Sequence, residues 1–205
     1  MRIFQNGLAD LAHFSCLAVD RHSPAYDHRR FSEDFHAYNR FTAMALKAGI
    51  SWHLRSLDEL TIHFISDAKD RKSKSNKGFS DNFDKYLAQR IELDAFLKRD
   101  AGEQYPYVRL ETKLCDSNEE DLLQLCDVLL GATQCALLAS SEQPTKRALG
   151  QMIVRWHQDL RLPPQKQEYK LQRKFNLWGF PDHEGRPYNN VTLALPVDDR
   201  QESLF

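Results

Sequence analysis

The chain lacks the features that would place it at once in several common classes. It holds no apolar run of the roughly 18 residues that a membrane span needs. The opening MRIFQNGLADLAHFSCLAVD is broken by Asp10 and His13 before apolar length accumulates. It has only four cysteines, Cys16, Cys115, Cys126 and Cys135, with no CxxC spacing, which argues against a disulfide scaffold or a zinc ribbon. The histidines, among them His53, His63 and His157, form no HExxH pair, and there is no glycine-rich phosphate loop or hydrolase nucleophile elbow. Lysine plus arginine number 28 against 29 acids, so the net charge is -1 and a polyanion site would have to be local. No repeat, linker or low-complexity tract appears. These absences lead to the expectation of a soluble, cytoplasmic protein with no membrane partner.

What is present reads as alternating strands and helices in a single domain over 1–205, with a core of about 14–160 and a C-terminal extension of about 161–205. FSCLAVD, Phe14 to Asp20, is a short apolar strand followed by a turn at Ser23 and Pro24. Phe31, Phe35, Tyr38, Phe41, Ala45 and Leu46 recur at helical spacing, with Gly49 as the stop. ELTIHFISD reads as a strand ending at Asp67. Positions 83, 87, 91 and 97 then mark the apolar face of a second helix. In VRLETKLCD, Val108, Leu110, Thr112 and Leu114 alternate, and the strand ends at Asp116, with Ser117 or Asn118 as a helix cap. The apolar helix around LLQLCDVLLGA follows. Pro144 opens a further helix over roughly Thr145 to Asp159, with Met152, Ile153, Trp156 and Leu160 on one face. In the tail, VTLAL is the candidate for a last strand. The pattern defines an α/β fold.

The acids carry the chemistry. A carboxylate on an apolar helix, Asp127, is costly unless solvated, paired or bound to a metal. Glu120, Gln124, Asp127, Gly131 and Gln134 follow one another at helical spacing and share a face, which is either a solvated stripe or one wall of a wet cleft. Leu122, Leu125, Leu129 and Leu130 would pack elsewhere. Asp67 and Asp116 each end a strand, where open α/β sheets gather ligands; turn or cap formation is the plainer reading for both. Together with Asp127 they could hold Mg²⁺ or Mn²⁺, hard ions that prefer oxygen ligands and promote phosphodiester hydrolysis.

LLQLCDVLLGA, preceded by CDSNEED, resembles the C-terminal signature of the domain of unknown function 3800 family, with Gln124 and Asp127 matching and Cys126 in the small-residue position. The strand ending at Asp67 and the strand ending at Asp116 follow in the family's order, so the resemblance spans about Phe14 to Ala139; the helix motif is its specific part. It implies a ribonuclease H-like mixed sheet with flanking helices and a carboxylate-bound divalent metal acting on nucleic acid. On that implication Asp67, Asp116 and Asp127 are the catalytic and metal-binding acids. The family's initial strand with an Asp-Glu-Ser motif has no counterpart near the start. The chain therefore reads as beginning inside the domain, through truncation or as a degenerate relative, and a two-metal site would be under-coordinated unless Glu111, Asp20 or another chain contributed.

Lys69, Arg71, Lys72, Lys74 and Lys77 follow Asp67 directly and form the candidate nucleic-acid contact; a solubilising loop is the alternative. Lys166, Lys170, Arg173 and Lys174 before Phe175, Trp178 and Phe180 make a second mixed basic and aromatic stretch, in which Trp178 suits the core. Two functions stay open, a metal-dependent nuclease or its remnant and a non-catalytic interaction module of a mobile-element or defence assembly, with a protein partner or a second copy possible in either.

Overall fold

The computed structural model describes residues 13–31, 34–67, 81–159, 175–189 and 191–197. The fold is α/β. In order it runs β1 (Phe14–Val19), α1 (Asp34–Gly49), β2 (Glu59–Asp67), α2 (Phe83–Asp100), β3 (Tyr107–Cys115), α3 (Asp121–Leu138), α4 (Pro144–Asp159) and β4 (Phe175–Phe180). These form two compact units: a terminal unit, Met1–Ala25 with Gln124–Phe205, and an inserted unit, Tyr26–Leu123. Each has its own two-stranded sheet, β1 with β4 and β2 with β3. Both pairs are parallel; the mixed sheet implied by the resemblance is not what the described strands form.

In the inserted unit, β2 and β3 alternate as the sequence pattern predicts as far as Phe64 and Thr112, whereas Leu114, expected to continue the series, is exposed. Leu60, Ile62, Phe64, Val108 and Leu110 pack with the helices. The intervening residues Thr61, His63, Arg109 and Glu111 are exposed, as a period of two requires for a strand with one covered face. The α2 side of that core is Phe83, Leu87, Ile91 and Ala95, repeating every four residues. Leu97, the expected fourth position, is out of step and exposed. Full burial of side chains such as Leu87 and Ile91 contributes about 1.5–3 kcal/mol each. The free edge of β3 is held by α2, since the Leu110 N–H donates to Glu92 Oε1 at 3.0 Å. α1 ends at Gly49, as expected, and the chain runs straight on into a π-helical turn, Ile50–Leu54, which buries Ile50.

That π turn brings Ser51 to a polar clamp. Lys47 Nζ lies 2.6 Å from Asp94 Oδ1 and Lys98 Nζ 3.2 Å from Asp94 Oδ2. Lys98 also donates to Ser51 Oγ at 3.2 Å and stands 4.2 Å over the Tyr105 ring. The Asp94 carboxylate thus ties α1 to α2, and Lys98, which it holds, reaches Tyr105 in the segment entering β3.

The terminal unit is built on β4. All its residues from Phe175 to Gly179 are buried, the mark of a strand covered on both faces. Phe14 and Phe175 stack at 5.3 Å, and Trp156 meets Phe175 edge-on at 6.0 Å. Leu129, Ala132 and Ala136 of α3 and Ile153 and Val154 of α4 complete the core with Val191 and Leu195. The expected strand VTLAL is not one: its Leu195 N–H donates to Ala136 O at the end of α3, so the segment packs on a helix instead of extending a ladder. Leu122 and Leu130, expected to pack, are exposed. Helix α3, at 18 residues and mean hydropathy 1.4, is the one described helix long and apolar enough to cross a membrane by length and composition. Its buried stripe of Leu129, Ala132, Thr133, Cys135 and Ala136 belongs to the protein core.

Burial alone would push the Asp94 carboxyl up, but the ammonium groups of Lys47 and Lys98 outweigh it and hold the group below the usual carboxylate range. A folded pKa depressed in this way adds stability above the unfolded value and loses it as pH falls through the folded value. Asp94→Asn should therefore cost about 1–2 kcal/mol at neutral pH, and that deficit should shrink below the ordinary aspartate pKa. Urea unfolding of both proteins across the acid range measures it; a deficit that does not change with pH would contradict the clamp.

Candidate functional site

Each strand-end acid has a definite place. In the inserted unit β2 and β3 run parallel with Asp67 opposite Cys115. Asp116 is the next residue, so the two acids stand at the carboxyl ends of neighbouring strands. Asp67 is half-buried and Asp116 exposed. Asp116 does not extend the strand. It caps a short 3-10 turn, Ser117–Glu119, by accepting the Asn118 N–H on Oδ1 at 2.9 Å. The cap expected at Ser117 or Asn118 is therefore Asp116, and it precedes this turn rather than α3. Its Oδ2 lies outside that bond.

Glu111, considered as a substitute ligand, is engaged higher on β3. His63 Nδ1 lies 3.1 Å from Glu111 Oε2 and Arg109 Nε 3.3 Å from Oε1. Asp20, the other substitute, belongs to the terminal unit and accepts the His22 N–H at 2.9 Å. Among the described residues no three His, Cys, Asp or Glu side chains gather as a metal-binding group. Lys69, Arg71, Lys72, Lys74 and Lys77 lie outside the described residues, as do Lys166, Lys170, Arg173 and Lys174. Trp178 is buried in β4.

Asp127 belongs to the terminal unit. It is exposed and lines a cleft of about 510 Å³ together with Gly131, Gln134, Ser140, Ser141 and Lys146. Asp127, Gly131 and Gln134 thus share a face that is one wall of this cleft. Lys146, in the first turn of α4, brings a cation to it. Sequence reasoning missed Lys146 because a lone lysine two residues after a helix-opening proline carries no periodic or motif signal. A carboxylate, an ammonium group, an amide and two hydroxyls line this cleft together with the apolar residues Val128, Ala132, Cys135 and Leu149.

The thiols do not add a nucleophile to the buried core. All four cysteines are free, and burial pushes the Cys16 thiol up to about 11, which keeps it protonated and unreactive. Comparison with protein-family models, with curated proteins and with solved structures returned no match.

The two oxygens of Asp116 separate capping from ligation. Asp116→Asn retains an acceptor for the Asn118 N–H and should leave stability within about 0.5 kcal/mol, whereas Asp116→Ala should cost about 1 kcal/mol. Chemical denaturation of the three proteins measures this. Equal losses in both variants would show that charge, not the capping bond, is what the fold uses there.

Proposed function

We propose that the chain is a divalent-metal-dependent nuclease of ribonuclease H-like fold, or the remnant of one, with Asp67 and Asp116 as carboxylate ligands and catalytic acids. The observation that carries this reading is the in-register parallel pairing that puts Asp67 and Asp116 at the carboxyl ends of neighbouring strands, Asp67 opposite Cys115 and Asp116 one residue beyond it. The donor set suits the ion: Mg²⁺ is commonly held by one or two carboxylates, with water and substrate phosphate completing its shell. When bound, Mg²⁺ or Mn²⁺ would activate water and neutralise charge developing on a phosphodiester. Asp67 offers a carboxylate fixed by its strand, and Asp116 an oxygen left over from its turn. The resemblance adds Asp127 to the acids. The cations Lys69, Arg71, Lys72, Lys74 and Lys77, which follow Asp67 in the chain, would contact phosphates. The four free thiols suit a reducing compartment such as the cytoplasm.

The second reading, a non-catalytic interaction module, is favoured by the apolar surface of α2, where Leu93, Phe96 and Leu97 are 50%, 60% and 55% exposed. Metal response separates the two. Mn²⁺ at about 100 times its Kd should stabilise the unmutated chain by about 2.7 kcal/mol, and Asp67→Asn and Asp116→Asn should abolish the shift and any cleavage. Thermal unfolding curves of the unmutated chain that coincide with and without Mn²⁺ would remove the nuclease reading.

Nucleic-acid affinity gives an independent check. Replacing Lys72 and Lys74 together with glutamine should reduce the salt slope of duplex DNA binding by about 2, from about 0.9 counterions per phosphate contact. Fluorescence anisotropy at graded salt reads the slope, and an unaltered slope would return the loop to a solubilising role.

A further inference from the structure

The terminal unit has a second cleft, at the carboxyl edge of its own parallel sheet. Beyond β1 and β4 the chain opens a space of about 500 Å³ lined by Ser23, Pro24, Pro181, Asp182, His183 and Tyr188. This is within the size range of small-ligand clefts, at the strand ends where parallel sheets bind ligands.

Its walls are held in place. Asp20 N–H donates to Phe180 O at 2.9 Å, continuing the strand pairing, and Ala25 N–H donates to Ser23 Oγ at 3.3 Å. On the other side, Gly179 and Tyr188 bridge through two backbone bonds, Gly179 N–H to Tyr188 O at 2.8 Å and Tyr188 N–H to Gly179 O at 2.9 Å. The Tyr188 ring occupies the space where a side chain at 179 would stand: a Cβ there would be 2.4 Å from Tyr188 Cζ. Between them, Asp182 Oδ1 accepts the N–H groups of Glu184 at 2.9 Å and Arg186 at 2.7 Å. Those bonds use Oδ1 and leave Oδ2 outside the turn. Arg186 Nη1 is itself 2.7 Å from Glu184 Oε2.

We propose that this cleft binds a nucleobase bearing an exocyclic amino group. Two prolines and a fixed tyrosine supply rigid, flat apolar surface, which suits a planar ring more than a flexible aliphatic amine. The Asp182 carboxylate accepts hydrogen bonds and donates none, so it selects rings that present N–H₂ and disfavours uracil, whose single N–H lies between two carbonyl oxygens. Choosing a nucleobase among flat amino-bearing rings rests on the nucleic-acid reading above.

The test needs neither metal nor cleavage, so it can fail while the nuclease reading stands, and the reverse. Nucleoside 5′-monophosphates are titrated into the full chain and followed by calorimetry and by amide chemical shifts. AMP, GMP and CMP should bind roughly tenfold or more tightly than UMP, the scale of one charge-assisted hydrogen bond. Asp182→Asn keeps an oxygen for the two turn N–H groups and replaces the free acceptor with a donor. It should reverse the order in favour of UMP. Gly179→Ala should weaken all four by displacing the tyrosine ring, and Tyr188→Leu should do the same where the glycine variant does not fold. Binding of all four alike and unaltered by Asp182→Asn, no binding at millimolar nucleotide, or displacement by butylammonium with no nucleotide preference would each overturn the proposal.

Discussion

Parallel strand pairing brings both carboxyl ends of a pair to the same edge, and the candidate chemistry of each unit depends on that constraint. An antiparallel hairpin would send neighbouring strand ends to opposite edges. A parallel pair needs a crossover: α2 supplies it between β2 and β3, and the long path from β1 to β4 supplies it in the terminal unit. At one edge this sets Asp67 opposite Cys115, with Asp116 one residue beyond. At the other it aligns Val19 with Phe180, so that the loops holding Asp20 and Asp182 emerge together.

Those loops share one device. Asp20, Asp27, Asp116 and Asp182 each accept, on Oδ1, the N–H of the residue two positions on, at 2.9 to 3.0 Å. This is the Asx turn, a local reason for aspartate just past the ends of β1, β3 and β4 and, at Asp27, before the 3-10 turn His28–Arg30. Because it engages Oδ1, a capping aspartate can keep the other oxygen available, and the structural and chemical readings of a strand-end acid do not compete for the same atom. At Asp27 the other oxygen is engaged too, by Arg30 Nε at 3.2 Å.

The sheet of the inserted unit was legible because β2 and β3 have one covered face and alternate over most of their length; at the strand ends the pattern breaks, with Ser66 buried and Leu114 exposed. The α4 span was legible from Pro144 and a single apolar stripe. Strand β4 was not. Buried along nearly its whole length, FNLWGF has no alternation to read, and its aromatics beside Arg173 and Lys174 suggested nucleic-acid stacking as readily as a core. VTLAL failed for the opposite reason: its alternation is real, with Val191 and Leu195 buried and Thr192 and Ala194 exposed, but a period of two does not say whether the partner is a strand or a helix. The division into two units was illegible too, since each stretch of the pattern resembles one continuous alternation of elements. Of the candidate acids, the strand-end positions of Asp67 and Asp116 followed from pattern, whereas the cleft beside Asp127 needed the fold of the α3–α4 turn.

Asp127 shows how far an unfavourable placement can be pushed as an argument. An acid in a run such as LLQLCDVLLGA suggests a cost that function must justify, yet the cost applies only where the carboxylate leaves water. Here Leu129, Ala132, Thr133 and Ala136, at helical spacing, are buried, while Asp127, Gly131 and Gln134 turn to the cleft. The helix is apolar on more of its circumference than its core contact uses, for Leu122, Val128 and Leu130 are exposed. Asp127 therefore interrupts exposed apolar surface rather than buried surface. That role needs no ligand, and it leaves the carboxylate hydrated and accessible, which is the state in which it could exchange water for one.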